Sequence, residues 1–141
     1  MFKVLSRLVF LIMIFGVSAC SVLSHKTDDE RVLSLAGQRQ VALLNQDFDK
    51  AYKYMSPGYR ELRSIAFFTA DHAGVYSWVS ANAYKALCEE NVCIVYVEIE
   101  FDSGILMGAA GKSSADAMLL SRVNKETWIK IDDKWWFSKS E

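Results

Sequence analysis

The stretch that most constrains the fold is Asn82 to Phe101, which reads as two β-strands folded about a four-residue turn, Glu89 to Val92. From Cys93 onward the alternation is unbroken. Cys93, Val95, Val97, Ile99 and Phe101 fall on one face, and Ile94, Tyr96, Glu98 and Glu100 on the other. Successive strand side chains point to opposite faces, so patterning of this length marks a strand with one buried and one wetted side. Folding back about residues 89 to 92 sets Cys88 opposite Cys93, Ala86 opposite Val95 and Tyr84 opposite Val97. Residues opposed in a non-hydrogen-bonded antiparallel pair have Cα atoms about 4.5 Å apart, within reach of a disulfide. The hairpin supplies the centre of a core and a candidate covalent staple. It supplies no chemistry.

The 141 residues suit one domain, but the first nineteen differ from the rest. Lys3 and Arg7 precede an apolar run from Leu8 to Val17, ten residues interrupted only by Gly16. That is about half the ~20 residues a bilayer span needs, so the run reads as a signal-peptide core. The next residues, Val17-Ser18-Ala19-Cys20, resemble the bacterial lipoprotein signal, in which small residues precede an obligatory Cys. The resemblance implies cleavage before Cys20 and acylation of Cys20, a lasting membrane attachment through lipid. Ser21 stands where that family's inner-membrane retention signal would be Asp, which implies the periplasmic face of the outer membrane. The chain has three Cys, and lipid on Cys20 leaves Cys88 and Cys93 as a pair. Loss of Lys3 and Arg7 makes a net charge of −1 slightly more acidic. No basic excess remains to neutralise nucleic-acid phosphates.

Residues 20–26 form a tether, with His25 as a solvated spacer, and the six residues after Cys20 reach at most roughly 20 Å. Residues 27–141 then form the folded domain. Thr27-Asp28-Asp29-Glu30 is a capping box whose acidic residues also suit a helix N-terminus. The helix runs to about Asn45, with Val32, Leu35, Ala36, Arg39 and Leu43 on one stripe and Leu33, Gln40 and Leu44 beside it. Arg39 and Gln40 are expected at the stripe's edge with their heads in water, a ligand contact being the alternative. Asp47 caps a short second helix, Phe48 to Met55. Ser56-Pro57 starts a third, running through Thr69, and Gly74 turns the chain toward an extended region beginning at Trp78.

With Asp47, Ala51, Tyr52, Ser56, Pro57, Tyr59 and Arg60 at these spacings, a capped first helix before them and long strands after, the chain resembles the nuclear transport factor 2-like superfamily. More narrowly it is similar to small bacterial proteins of that fold, which also carry a Trp-led strand and a paired-Cys hairpin. The resemblance covers about Glu30 to Ser138. It implies an α+β fold, about three N-terminal helices packed on a strongly curved antiparallel sheet of three to four long strands, together forming a cone. It implies little about activity, because the fold hosts isomerases, dehydratases, transport factors and plain binding domains.

Asp102 to Ala115 is rich in Gly, Ala and Ser and reads as a long hairpin loop. Gly108, Gly111, Lys112 and Ser113 echo the end of a phosphate-binding loop, but Leu106 stands where that motif needs Gly, and the setting is not strand–loop–helix. Ala117 to Ile131 returns as strand. Asp132-Asp133 is a two-residue turn that sets Lys130 against Trp135, Ile129 against Trp136 and Trp128 against Phe137. Lys130 over Trp135 is a cation–π pair.

Metal binding and nucleophilic triads have little to draw on: the two histidines are His25 and His72, and the cysteines suit a disulfide. No cofactor is expected. An acid/base site in a cone would draw on Asp71, His72, Tyr52 or Tyr84, but Asp71 and His72 are adjacent and their side chains diverge. Glu98 and Glu100 face away from the cysteines, hence outward. The candidate pocket lining is Tyr52, Tyr84, Val95, Val97, Ile99, Trp128, Trp135 and Phe137, mostly apolar. The expected function is a non-catalytic module that binds a small hydrophobic or amphipathic ligand or an envelope protein. An isomerase- or dehydratase-like enzyme, or an assembly module acting through the outer sheet around Ile94 and Tyr96, are the alternatives. A homodimer stays open. A cone filled solid by Trp128, Trp135 and Phe137 would leave only the surface and the long loop.

Overall fold

The computed structural model describes residues 26–104 and 118–139. Helices α1 (Asp28–Leu44), α2 (Phe48–Tyr52), α3 (Pro57–Leu62) and α4 (Ile65–Asp71) come first, followed by a 3-10 turn at Ala73–Ser77. Strands β1 (Trp78–Glu89), β2 (Val92–Asp102), β3 (Leu119–Ile131) and β4 (Lys134–Ser138) form one antiparallel sheet in sequence order. The fold class is α+β, with the helices N-terminal and packed on a four-stranded sheet, as the sequence implies. Cys20, the tether through His25 and the loop from residue 105 to 117 lie outside the described residues, as do the phosphate-loop echo and the expected start of β3 at Ala117.

The α1 capping box forms as read. Glu30 N–H donates to Thr27 Oγ1 at 3.3 Å, and Thr27 N–H donates to Glu30 Oε2 at 3.2 Å. The acidic first turn is also tied to the sheet. Asp28 accepts from Trp135 Nε1 at 3.3 Å and from Lys130 Nζ at 3.4 Å, and Asp29 accepts from the Cys88 amide at 3.0 Å. Those contacts fix the angle at which α1 crosses the sheet, where it packs chiefly on β1.

Two helix readings need correction. The stretch expected as one helix from Ser56 to Thr69 is two, so the described residues hold four α-helices where about three were expected. Arg63 is extended (φ −131°, ψ 121°), and Ser64 recaps the chain by accepting from the Phe67 amide at 3.3 Å. A serine at a helix break serves as cap for the next helix. The helix at Phe48 ends at Tyr52 rather than Met55, because Tyr54–Ser56 instead run alongside β4. Phe137 N–H donates to Tyr54 O at 2.8 Å and Ser56 N–H to Phe137 O at 3.0 Å, covering what would otherwise be an open sheet edge.

The hairpin register is close to that expected. Cys88 pairs with Cys93 and Ala86 with Val95, and the two cysteines are disulfide-bonded with Cα atoms 4.0 Å apart. Tyr84 is the exception. A bulge between Ala83 and Lys85 puts Ala83 opposite Val97 and turns Tyr84 to the outer face, where it is 47% exposed beside Tyr96. One extra residue in a strand inverts the facing of what precedes it. At the β3–β4 turn, Asp132 and Asp133 have φ of 50° and 58°, and the pairs Lys130–Trp135, Ile129–Trp136 and Trp128–Phe137 form as expected. Lys130 Nζ lies 5.6 Å over the Trp135 ring.

The core is the inner face of β2 (Cys93, Val95, Val97, Ile99) with Trp128, Trp135 and Phe137, closed by Val32, Ala36, Leu43, Ala51, Met55 and Phe68. Each Val, Leu, Ile, Met or Phe among them, fully buried, contributes about 1.5–3 kcal/mol from its removal from water.

Candidate functional site

The inner face of the sheet changes character along β3. Trp128, Glu126, Asn124 and Arg122 pair in turn with Cys93, Val95, Val97 and Ile99, so all four share the core-facing side. At Trp128 that side is sealed. From Glu126 onward it becomes polar, and a cleft of about 520 Å³ opens there between β3, α1 and the α4 end, lined by Arg39, His72, Trp78, Arg122, Glu126 and Phe137 among others.

The cleft floor is a buried polar network. Arg39 Nη1 donates to Glu126 Oε1 at 2.7 Å, and Gln40 Nε2 donates to the same oxygen at 2.8 Å. Trp128 Nε1 donates to Glu126 Oε2 at 3.2 Å. The Arg39 guanidinium also lies 4.0 Å over the Phe137 ring. Arg39 is 3% exposed, Gln40 1% and Glu126 9%. Arg39 and Gln40 therefore do not snorkel at the helix edge as expected. A carboxylate from a distant strand meets them inside, which lets polar heads be buried without being stranded. Desolvation lowers the Arg39 pKa from its ordinary value, opposed by the charge of Glu126. Some groups stay unsatisfied: Arg39 Nε–H, Gln40 Oε1 and the Tyr59 hydroxyl are buried with no partner among the described residues.

His72 joins the network from the C-terminal end of α4. Its Nε2 lies 3.4 Å from Arg39 Nη2 and its Nδ1 2.8 Å from the Phe68 carbonyl. Arginine can only donate, so Nε2 accepts and Nδ1 carries the proton to Phe68 O, which makes this the neutral imidazole. Burial lowers the His72 pKa first of all; the Phe68 carbonyl and Asp71 oppose this, and Arg39 and Lys139 reinforce it. Asp71 forms an ion pair with Lys139, which holds its carboxyl below the usual range. His72 Nδ1 and Asp71 Oδ2 are 3.9 Å apart, with Nδ1 already committed to Phe68, so the two adjacent residues form no dyad.

The residues expected to line a pocket are dispersed. Of them only Phe137 lines the cleft, joined there by Asp71 and His72 from the acid/base candidates. Val95, Val97, Ile99 and Trp128 lie in the sealed core, and Trp135 is buried with its Nε1 donating to Asp28. Tyr52 donates to the Arg63 carbonyl at 2.6 Å and packs edge-on against Phe68, bracing α2 to α3 and α4. Tyr84 is on the outer face, and so are Glu98 and Glu100, the latter accepting from Ser80 Oγ at 2.7 Å. The mostly apolar lining expected is therefore replaced by a mixed, charged one. Glu126 and Arg122 were not singled out by sequence, although counting back by twos from an inward Trp128 reaches both.

No protein-family model and no curated protein matches the sequence. Solved structures resemble it in shape, two of which follow. A SEC-C motif containing protein from Rhodopseudomonas palustris is 16% identical, with 77% of this chain and 75% of that one covered, at a TM-score of 0.54. A proposed NTF2-like transpeptidase from Campylobacter jejuni is 12% identical, with 76% of this chain and 96% of that one covered, at a TM-score of 0.48. The first likeness shows a shared fold and nothing of activity.

Proposed function

We propose that the protein is a lipid-anchored module facing the periplasm, attached to the outer membrane through Cys20, that binds a small ligand non-catalytically in the cleft over Arg39 and Glu126. The observation that carries the binding reading is the buried Arg39–Glu126–Gln40 network at the floor of an open cleft of about 520 Å³. Concave sites with a few convergent polar groups are where proteins hold small molecules. The groups that could move protons there are already engaged: His72 Nε2 accepts from Arg39, and Glu126 accepts from Arg39, Gln40 and Trp128. That arrangement suits a rigid receptor better than an acid/base enzyme.

A second reading rests on a different surface. On the outer face of the sheet, Leu87 and Val92 are exposed beside Ile94 and Tyr96 around a shallow groove, an apolar patch that suits assembly with an envelope protein.

Amide shifts in a nuclear magnetic resonance screen of small molecules separate the two. The cleft reading expects shifts at Arg39, His72, Asn124 and Glu126. Shifts confined to Leu87, Ile94 and Tyr96 would move the site to the outer sheet, and a silent screen would overturn ligand binding. The anchor is tested by Cys20→Ser, which should abolish lipidation and release the protein from the membrane fraction. A variant that stays membrane-bound without lipid contradicts it.

A further inference from the structure

A second depression adjoins the cleft. About 570 Å³ in volume, it is lined by Tyr59 and Leu62 on α3, Arg63 at the break and Phe67 on α4. The two spaces share Asp71 and Lys139, whose ion pair stands in the lining of both. Their characters differ. In the cleft, Arg39 is paired with Glu126 and Lys139 with Asp71, while the guanidinium of Arg122, exposed on β3, has no carboxylate partner among the described residues. Arg122 lies 5.8 Å over the Phe101 ring and Lys125 Nζ 5.5 Å over the outward Tyr96 ring, contacts that leave both charges uncancelled. The cleft therefore carries a positive excess. The neighbouring groove joins exposed apolar surface, Leu62 at 83% and Phe67 at 45% exposed, to a cation, Arg63, whose guanidinium lies 4.5 Å over the Phe67 ring.

Each space has in its lining one side chain with a buried donor left over. Arg39, in the cleft lining, has a buried Nε–H, and Tyr59, in the groove lining, a buried hydroxyl, neither with a partner among the described residues. Burial raises the Tyr59 pKa, and the charges of Asp71, Arg63 and Arg39 also act on it, so this phenol stays a neutral donor close to all three. A buried donor without an acceptor costs about 1–3 kcal/mol, which an accepting ligand atom recovers. Excess positive charge and the Arg39 donor on one side, with the Tyr59 donor and exposed apolar surface on the other, are complementary to one kind of molecule.

Resting on the cleft reading above, we infer that the ligand is a free single-chain amphiphile with an anionic head, a medium- or long-chain carboxylate. Its head sits in the cleft by Arg122 and Arg39, and its chain runs past Tyr59 along Leu62 and Phe67. The Lys139–Asp71 pair spans the junction and orients to the head. No covalent step is involved.

The test is isothermal titration of the full-length protein, kept soluble in an amphipathic polymer, with octanoate, acetate and 1-octanol. Octanoate should bind more tightly than acetate by about tenfold or more, since each buried methylene adds favourable transfer energy. Octanol, lacking the charge, should bind at least about tenfold more weakly than octanoate. Leu62→Asn, at an exposed position, should weaken octanoate severalfold and leave acetate unchanged, and Arg122→Gln should weaken both anions. Acetate binding as well as octanoate, unaffected by Leu62→Asn, overturns the amphiphile and leaves the cleft reading intact. Octanol binding as tightly as octanoate overturns the anionic head. Absence of any binding overturns this inference, and the cleft reading then stands or falls on the small-molecule screen above. Binding of the protein, through Leu62, to phosphatidylglycerol vesicles in place of free octanoate would reassign the groove to a bilayer surface and contradict the inference.

Discussion

Arg39 Nη1 on α1 and Glu126 Oε1 on β3 meet at 2.7 Å across 87 residues of sequence, and both side chains are buried. The pair joins the helical layer to the sheet at the one level where the inner face turns polar. Removing one partner leaves the other charge buried and alone, which costs about 3–5 kcal/mol. Glu126→Leu should therefore lower the stability measured by urea unfolding by about that amount, while the double variant Arg39→Met, Glu126→Leu recovers most of it. A single-variant loss below about 1 kcal/mol would mean that the pair is solvated.

His72 makes stability depend on pH. Its folded pKa lies below its ordinary value because of burial, so the unfolded chain binds the proton more readily. The contribution is complete above the unfolded pKa of about 6.5 and is lost as pH falls below it, levelling off at the folded pKa. The groups facing the ring are Arg39, Asp71 and Lys139, and Asp71 alone among them works against the shift. Between about pH 7.5 and about pH 5, the wild type should lose more stability than His72→Gln. Equal losses would show that His72 titrates normally.

The disulfide closes a short loop, Cys88 to Cys93. Loop-closure entropy assigns it about 2 kcal/mol. Cys88→Ala, Cys93→Ala should therefore still fold, with a melting point lower by roughly 10 °C. Free thiols at both positions in protein from an oxidising compartment would contradict the pairing.

Asp132 and Asp133 both hold positive φ, a conformation that Asn and Gly adopt more readily. Asp132→Asn with Asp133→Gly should stabilise the protein by about 0.5–1 kcal/mol in urea unfolding. Destabilisation would indicate that the carboxylates themselves serve the turn.

The parts of the fold written in local patterns were legible: the capping box at Thr27, the alternation from Cys93, the Ser56-Pro57 helix start and the Asp132-Asp133 turn. The bulge at Tyr84 was not, because a single skipped residue leaves no mark in composition yet reverses which face a side chain takes. Ser64 was read as helix interior because its role as a cap depends on Arg63 being extended. The site was hidden for a different reason. The helical stripe shows that Arg39 and Gln40 point inward, but only tertiary pairing decides whether an acceptor waits there. That acceptor, Glu126, sits two residues from Trp128 on the same face, so strand periodicity held the clue.

The Arg39 side-chain Nε–H, followed by ¹H–¹⁵N nuclear magnetic resonance while octanoate is added, tests the central claim most directly. That donor, on a side chain of the cleft lining, is buried with no partner among the described residues. The account predicts a saturable downfield shift of its proton as the carboxylate accepts from it, accompanied by shifts at Tyr59 and Arg122. An Arg39 Nε–H signal unmoved at saturation, with changes confined to Leu87, Ile94 and Tyr96, would contradict it.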